Sequence, residues 1–339
     1  MLINGRGRYP LGPATPLSVF NVEFGKRYRF RLVAMSWDTY FTFSIDGHNM
    51  TIIEADGVNT EPLIVDSILI HAGQRYSFVL VANQKIGNFW VRADQRCGYD
   101  GGPIGFAEGI NSAILRYVGS PEVDPTTSQT ASIIPLAESN LHPLENPGAP
   151  GQPYVGGADV LINLNLRLER KPQFNYFVNN ANYQKPSIPV LLQILSGTRK
   201  ASDLLPKGSV YTLPPNKVIE VSIPAHGAPG GPVGGLLFFY TSGSADIASV
   251  APFPPSRSEP FDDDLCRTSV WLLSQHTFDV VRSAGTNAYN YANPVRRDVV
   301  AIGGDNTGVG VDNVTIRFVT DNPGPWFLHW QVFPLILIL

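Results

Sequence analysis

KRYRFRLVAM, residues 26–35, alternates basic and apolar side chains along its length. Tyr28, Phe30 and Leu32 fall on one face and Arg27, Arg29 and Arg31 on the other, because side chains on a strand alternate with period two. QRYSFVLVA, residues 74–82, repeats the rhythm with Tyr76, Phe78 and Leu80 on one side. FTFSIDGHNMTIIEADG, residues 41–57, predicts a hairpin with Asp46-Gly47 at its tip, flanked by Phe43, Ile45, Ile52 and Ile53. NVTIRFVTDNPGPWFLHW, residues 313–330, predicts two strands joined by the turn Asn322-Pro323-Gly324-Pro325. Strands at spacings of roughly 8–12 residues with turn signals between them mean an all-β fold of sandwich or barrel type.

Composition agrees. Gly (32) and Pro (29) are abundant, which favours short strands and turns over helices. At 339 residues there is room for two domains, each with its own core. The sequence divides into strand-patterned regions 1–130 and 161–339, separated by a Pro/Ser/Thr/Gly-rich connection over 131–160. Patterning resumes at DVLINLNLRLE, residues 159–169, where Leu161, Leu164, Leu166 and Leu168 alternate imperfectly. PVLLQILSG, residues 189–197, predicts a short helix closed by Gly197. In residues 233–275 the alternation disappears, and this stretch reads as neither strand nor helix.

Charge narrows the function classes. With 25 basic and 28 acidic residues the net charge is −3, which argues against nucleic acid as a partner, since that would call for a strongly basic face. No apolar run approaches the roughly 18 residues of a membrane span, so no membrane partner is expected. The opening MLINGRGRYP lacks the apolar core of a signal peptide. Two sequons, at Asn49 and Asn313, point the other way, towards a secretory route and glycosylation. Two cysteines, Cys97 and Cys266, cannot make a disulfide framework, and Cys97 reads as a free thiol.

The segments GKRYRFRLVAMS, FSIDGHNMTIIEADGVNTEPLIVDSI, AGQRYSFVLVANQ, PVLLQILSG, DLLPKGSVY, TFDVVRSAG, YNYANPVRRDVV and DNVTIRFVTDNPGPWFLH resemble the fungal laccases of the multicopper oxidase family, in order and in spacing. The resemblance covers nearly the whole chain except 233–275 and the last ten residues. It implies the second and third of that family's three cupredoxin domains, Greek-key β-sandwiches, with the first missing and the third interrupted and truncated. It also implies secretion, and one-electron oxidation of phenolic donors coupled to reduction of oxygen to water. Copper is the cofactor so implied, four per intact enzyme: a blue copper held by two His and a Cys thiolate, and a three-copper cluster held by His-x-His pairs. Soft sulfur with imidazole suits that electron-transfer couple.

Measured against the family's ligand motifs, this chain is depleted. His329 matches the first His of the His-Cys-His stretch, but Trp330 stands at the thiolate position, Gln331 at the next His and Leu335 at the second blue-copper His. Of the preceding His-rich motif only its last residue, His276, remains, and that one is usually not a ligand. One ligand position of ten survives, so the chain alone is expected to be inactive. Asp38 matches a substrate-pocket carboxylate that accepts the phenol proton, and Trp37 replaces the family's usual Cys. His48, His71 and His142 are expected to be surface or hairpin histidines bonded to backbone, and His226 has no matched role. Asp262–Asp264 reads as a solvated loop. Both breaks begin abruptly, after Pro232 and after Trp330, as retained intron sequence in a gene model would. The alternative reading is a non-catalytic cupredoxin-like fragment.

Overall fold

The computed structural model describes residues 1–35, 40–95, 105–169, 175–182, 187–197, 203, 207–224, 237–241, 269–273, 276–302 and 313–330. They form two compact units, Met1–Glu145 and Asn146–Leu339. The division falls within the segment read as a connection. Its first part stays with unit one through bridges Thr60 to Pro143 and Ser67 to Pro135. No described helix is long and apolar enough to cross a membrane.

Unit one contains β1 (Val19–Val22), β2 (Arg27–Val33), β3 (Phe41–Ile45), β4 (Met50–Ala55), β5 (Val58–Val65), β6 (Ser67–Ile70), β7 (Arg75–Val81), β8 (Asn88–Gln95) and β9 (Ser112–Tyr117). One sheet runs β1-β9-β8-β3-β6 and the other β2-β7-β4-β5. Their inner faces meet where Phe43 lies 5.9 Å from Phe78 and Phe20 lies 5.6 Å from Phe30, ring centre to ring centre. Tyr76, Phe78 and Leu80 are buried, as are Met50 and Ile52 beside them. Burying side chains of this size stabilises the unit by about 1.5–3 kcal/mol each. The arginines of β2 are exposed, in keeping with the alternation of the sequence.

The hairpin expected over 41–57 does not form. β3 pairs with β6 and β8, whereas β4 pairs with β5 and β7, so the chain changes sheets between Asp46 and Asn49. The reason is chemical: Asp46 and His48 are both buried, and their side chains anchor the crossover to the interior, where a hairpin tip would be solvated. The true hairpin is β4–β5, with the next Asp-Gly pair at its tip. Asp56 (φ 49°) and Gly57 (φ 89°) both take the positive φ that a tight two-residue turn demands.

Unit two contains β10 (Val160–Asn163), β11 (Leu166–Glu169), β12 (Asn175–Val178), β13 (Ala181–Asn182), α1 (Val190–Leu195), β14 (Val210–Leu213), β15 (Val218–Ile223), β16 (Leu237–Thr241), β17 (Ser269–Leu273), β18 (Phe278–Arg282), β19 (Val295–Arg297), β20 (Val299–Ile302), β21 (Val314–Val319) and β22 (Gly324–Trp330). Two five-stranded sheets, β10-β15-β21-β18-β19 and β14-β16-β22-β17-β20, are joined by a three-stranded sheet, β11-β12-β13. The Asn322–Pro325 turn is again a passage between sheets: β21 lies in the first and β22 in the second. The predicted helix is present as α1, and Gly197 behind it adopts φ 70°.

The strand patterning expected over 159–169 is present, divided between two sheets, with Asn179 clamping the joint between them. Its Oδ1 accepts from the Asn165 N–H at 2.8 Å and its Nδ2 donates to the Asn163 carbonyl at 2.7 Å. The segment 233–275, read as neither strand nor helix, supplies β16 and β17, which flank β22 in the middle of its sheet. Leu236–Tyr240 and Val270–Leu273 are continuous apolar runs, which carry no period-two signal.

Candidate functional site

His329 lies in β22, its backbone paired with Leu272 of β17. His276, four residues past Leu272, is buried. Its ring is edge-on to Trp326 at 5.3 Å and to Phe318 at 5.8 Å, and Nε2 is 4.0 Å from the Asp321 carboxylate. That aromatic cage is how a core histidine is held, not how a metal is cradled. Among the described residues no group of three His, Cys, Asp or Glu is placed to hold a metal ion. The residues after His329 are Trp330, Gln331, Val332 and Phe333, which supply no imidazole or thiolate, so the donor set does not fit copper. Asp38, Cys97, His226, Cys266 and Asp262–Asp264 lie outside the described residues.

The concentrated polar chemistry is elsewhere, in buried networks. In unit one Asp46 and Arg92 make a two-pronged ion pair, Nε to Oδ1 at 2.8 Å and Nη2 to Oδ2 at 2.7 Å. The Thr127 hydroxyl donates to Oδ2 at 2.6 Å, and the Phe106 ring lies 5.0 Å from the guanidinium carbon. Two residues on, His48 Nδ1 donates to the Asp46 carbonyl at 2.8 Å, since a carbonyl only accepts. Its Nε2 therefore accepts the Tyr117 O–H at 2.7 Å, while the Tyr117 oxygen accepts from the Gln84 N–H at 3.1 Å. Burial pushes the His48 pKa down, partly offset by its bond to the Asp46 carbonyl, and burial pushes the Tyr117 phenol up. His48 is thus a neutral core histidine. His71 is also buried, with its ring 5.0 Å from Tyr40. The expectation of surface or hairpin positions fails for both, because strand ends near the sheet crossover point inward.

In unit two, Arg317 on β21 pairs with Glu220 directly across on β15. Beside it, Asp279 on β18 is buried against Arg296, Nε to Oδ1 at 2.9 Å. Burial pushes the Asp279 carboxyl up to about 6, with the Arg296 charge offsetting only part of that. The folded state therefore holds this proton more tightly than the unfolded chain does. Its stabilising contribution is complete below the ordinary carboxylate range and is lost as pH rises through about 6. At about 1.4 kcal/mol per pKa unit the change amounts to roughly 3 kcal/mol. Asp279→Asn is expected to gain on the parent by that order between about pH 4 and pH 7. Urea midpoints measured across this range check it, and parallel curves for the two proteins would refute it.

One open groove, ≈ 470 Å³, runs between the end strands β10 and β14 of unit two, with Asn179 at its base. Asn179 is committed to Asn163, Asn165 and the Tyr211 hydroxyl. The described groove walls carry no His, Cys, Asp or Glu, hence no carboxylate, imidazole or thiolate.

The buried charges left a faint sequence signal. Glu220 in VIEVSI and Arg317 in VTIRFV are lone charges inside apolar strands, a pattern that calls for a partner, and Arg92 follows the apolar run FWV in NFWVRADQ. The identity of each partner was not legible.

Comparison with known proteins follows the same division into two sandwiches. Sequence models of the multicopper oxidase family match residues 1–120 and 273–332, together more than half of the chain. Laccase-2 of Trametes versicolor is 51% identical over 331 residues, covering 98% of this chain and 55% of the relative. Laccase-2 of Pleurotus ostreatus is 53% identical over 332 residues, covering 98% and 53%. This chain spans about half the length of the curated relatives it matches. Among solved structures, a laccase from Botrytis aclada superposes with a TM-score of 0.69 at 22% identity, over 98% of this chain and 55% of that one. Fet3p, a multicopper oxidase that functions in iron import, gives 0.63 at 20% identity, over 93% and 54%. These likenesses make both sandwiches cupredoxin-like. Half the residues are shared with fungal laccases along almost the entire chain, on the scaffold those enzymes use: the chain belongs to the multicopper oxidase family.

Proposed function

We propose that this chain is laccase scaffold without laccase chemistry of its own. The reaction of the lineage is one-electron oxidation of phenolic donors coupled to oxygen reduction, in a secreted, copper-loaded enzyme. The observation that supports inactivity of this chain is its donor set. His329 has Trp330, Gln331 and Leu335 where a thiolate and two imidazoles would be needed, and one imidazole neither binds copper tightly nor builds a cluster. The expected result for the purified 339-residue chain is copper well below one ion per molecule by mass spectrometry, no blue thiolate–copper absorbance, and no oxygen uptake with a phenol. Stoichiometric copper with turnover would overturn the reading. Asp38 is assigned the substrate-pocket role of its family position, orienting a phenol O–H, a role that matters only where a copper site is complete.

Glycosylation belongs to the same reading. Asn49 is exposed on the crossover between β3 and β4, where a glycan has room. Asn313 is half-buried and its sequon threonine, Thr315, is almost fully buried. Expression in a fungal host is expected to give high occupancy at Asn49 and lower occupancy at Asn313. Peptide mapping before and after glycan removal checks this, and an unmodified Asn49 would contradict it.

A further inference from the structure

The outward face of the sheet β2-β7-β4-β5 carries a row of guanidinium groups at its edge. Arg27, Arg29 and Arg31 occupy alternate positions of β2 and are all exposed. Two residue steps along a strand separate them by about 7 Å each. Arg29 is engaged by Glu54 and the Ser77 hydroxyl. Among the described residues neither Arg27 nor Arg31 forms an ion pair. Behind the row on the same face stand Val79 and Val81, paired with Arg29 and Arg27.

β2 is also an open edge. It ends its sheet, and no described strand pairs with its outer side. Two of the unit's other three sheet edges are bridged by the chain, while β1, like β2, ends its sheet with no described strand outside it. β5 is bridged by Pro143 and its Glu61 N–H donates to the His142 carbonyl, while β6 is bridged by Pro135. An uncovered edge offers unpaired backbone donors and acceptors to any extended chain.

We propose that the β2 edge docks an extended acidic polypeptide as an added strand, with Asp or Glu at alternate positions facing Arg27 and Arg31. Three features favour this occupant. A strand repeats its same-face side chains at the spacing of the arginine row, so carboxylates and guanidinium groups meet in register as cross-strand pairs. Main-chain bonding supplies affinity and the charge pairs supply specificity. A second copy of the chain is disfavoured, because self-pairing would set arginines against arginines.

The test uses the full chain and a fluorescein-labelled synthetic peptide of alternating Glu and Val, followed by anisotropy at low salt. Saturable binding is expected. The double variant Arg27→Glu/Arg31→Glu should weaken it at least about tenfold and instead bind a Lys–Val peptide. Both positions are exposed, so an unchanged thermal midpoint is expected to accompany the switch. Equal binding of the Glu and Lys peptides, or an unaffected double variant, would overturn the proposal. So would displacement of the peptide by polygalacturonate as efficient as by unlabelled peptide, which would mean simple ion exchange. Concentration-dependent self-association abolished by the double variant would assign the edge to a second copy and overturn it too. None of these readouts depends on copper or on oxidase activity.

Discussion

Arg317→Met is expected to lower the stability of unit two by about 3–5 kcal/mol, the cost of stranding a buried charge. Arg317 is fully buried, and each of its three nitrogens is engaged. Nε donates to Glu220 Oε2 at 2.8 Å, and Nη2 lies 2.7 Å from the same oxygen as an ion pair. Nη1 donates to the carbonyls of Pro150 and Gln152 at 3.1 and 2.7 Å, and Nη2 to that of Tyr154 at 2.6 Å. The guanidinium carbon lies 4.4 Å from the centre of the Tyr291 ring. One side chain therefore fastens residues 150–154 to the sheet while neutralising Glu220. Methionine fills similar volume but takes away the cation, leaving the buried Glu220 carboxylate with only the Gly156 N–H at 3.2 Å and the Pro150, Gln152 and Tyr154 carbonyls without the guanidinium. Lysine restores charge without the planar fork, so Arg317→Lys is expected to recover only a minor part. The loop has little freedom to adapt: Gly151 sits at φ 82°, and a Cβ there would approach the Gly157 carbonyl oxygen to 2.6 Å. Urea unfolding and amide exchange read the two consequences separately. Exchange over 150–157 should accelerate even where global unfolding is negligible. Unchanged protection there would show that the loop is held by something other than this fork.

Arg92→Met tests the equivalent arrangement in unit one, with an expected loss of about 3–5 kcal/mol. Asp46 is buried, and its two oxygens are shared between Arg92 and Thr127. Arg92 Nη2 also donates to the Thr127 carbonyl at 3.1 Å, so the pair ties residue 127 to the β3–β4 crossover. Removing the arginine leaves an acid with a single hydroxyl donor in the place where the chain changes sheets. The double variant Asp46→Leu/Arg92→Met removes both charges and is expected to be more stable than Arg92→Met alone. A double-mutant cycle measures the coupling. If Arg92→Met and the double variant unfold at the same urea concentration, the pair is not what holds the crossover.

The all-β character was open to reading because it is a local property. β2 and β7 show their period in consecutive residues, and α1 announces itself by a run of good helix formers ending at Gly197. The depletion of metal donors was equally open, since it depends on residue identity at His329, Trp330 and Gln331 and not on geometry. Pairing was another matter. Asp46-Gly47 and Asp56-Gly57 carry the same dipeptide, yet only the second closes a hairpin. What separates them is a guanidinium at position 92 and a phenol at position 117, far along the chain. β16 and β17 escaped notice for a related reason: Leu236–Tyr240 and Val270–Leu273 are continuous apolar runs with no period-two signal, and their place beside β22 is set by pairing with residues far along the chain.

By itself, then, the order of amino acids determined the class of fold, the family and the missing copper donors, because each rests on short-range period or on the chemistry of single side chains. Tertiary structure alone decided which strands share a sheet, which charges are buried together and which edge stays open. Those outcomes depend on contacts between residues tens of positions apart, and no local rule contains the free energy of bringing them together.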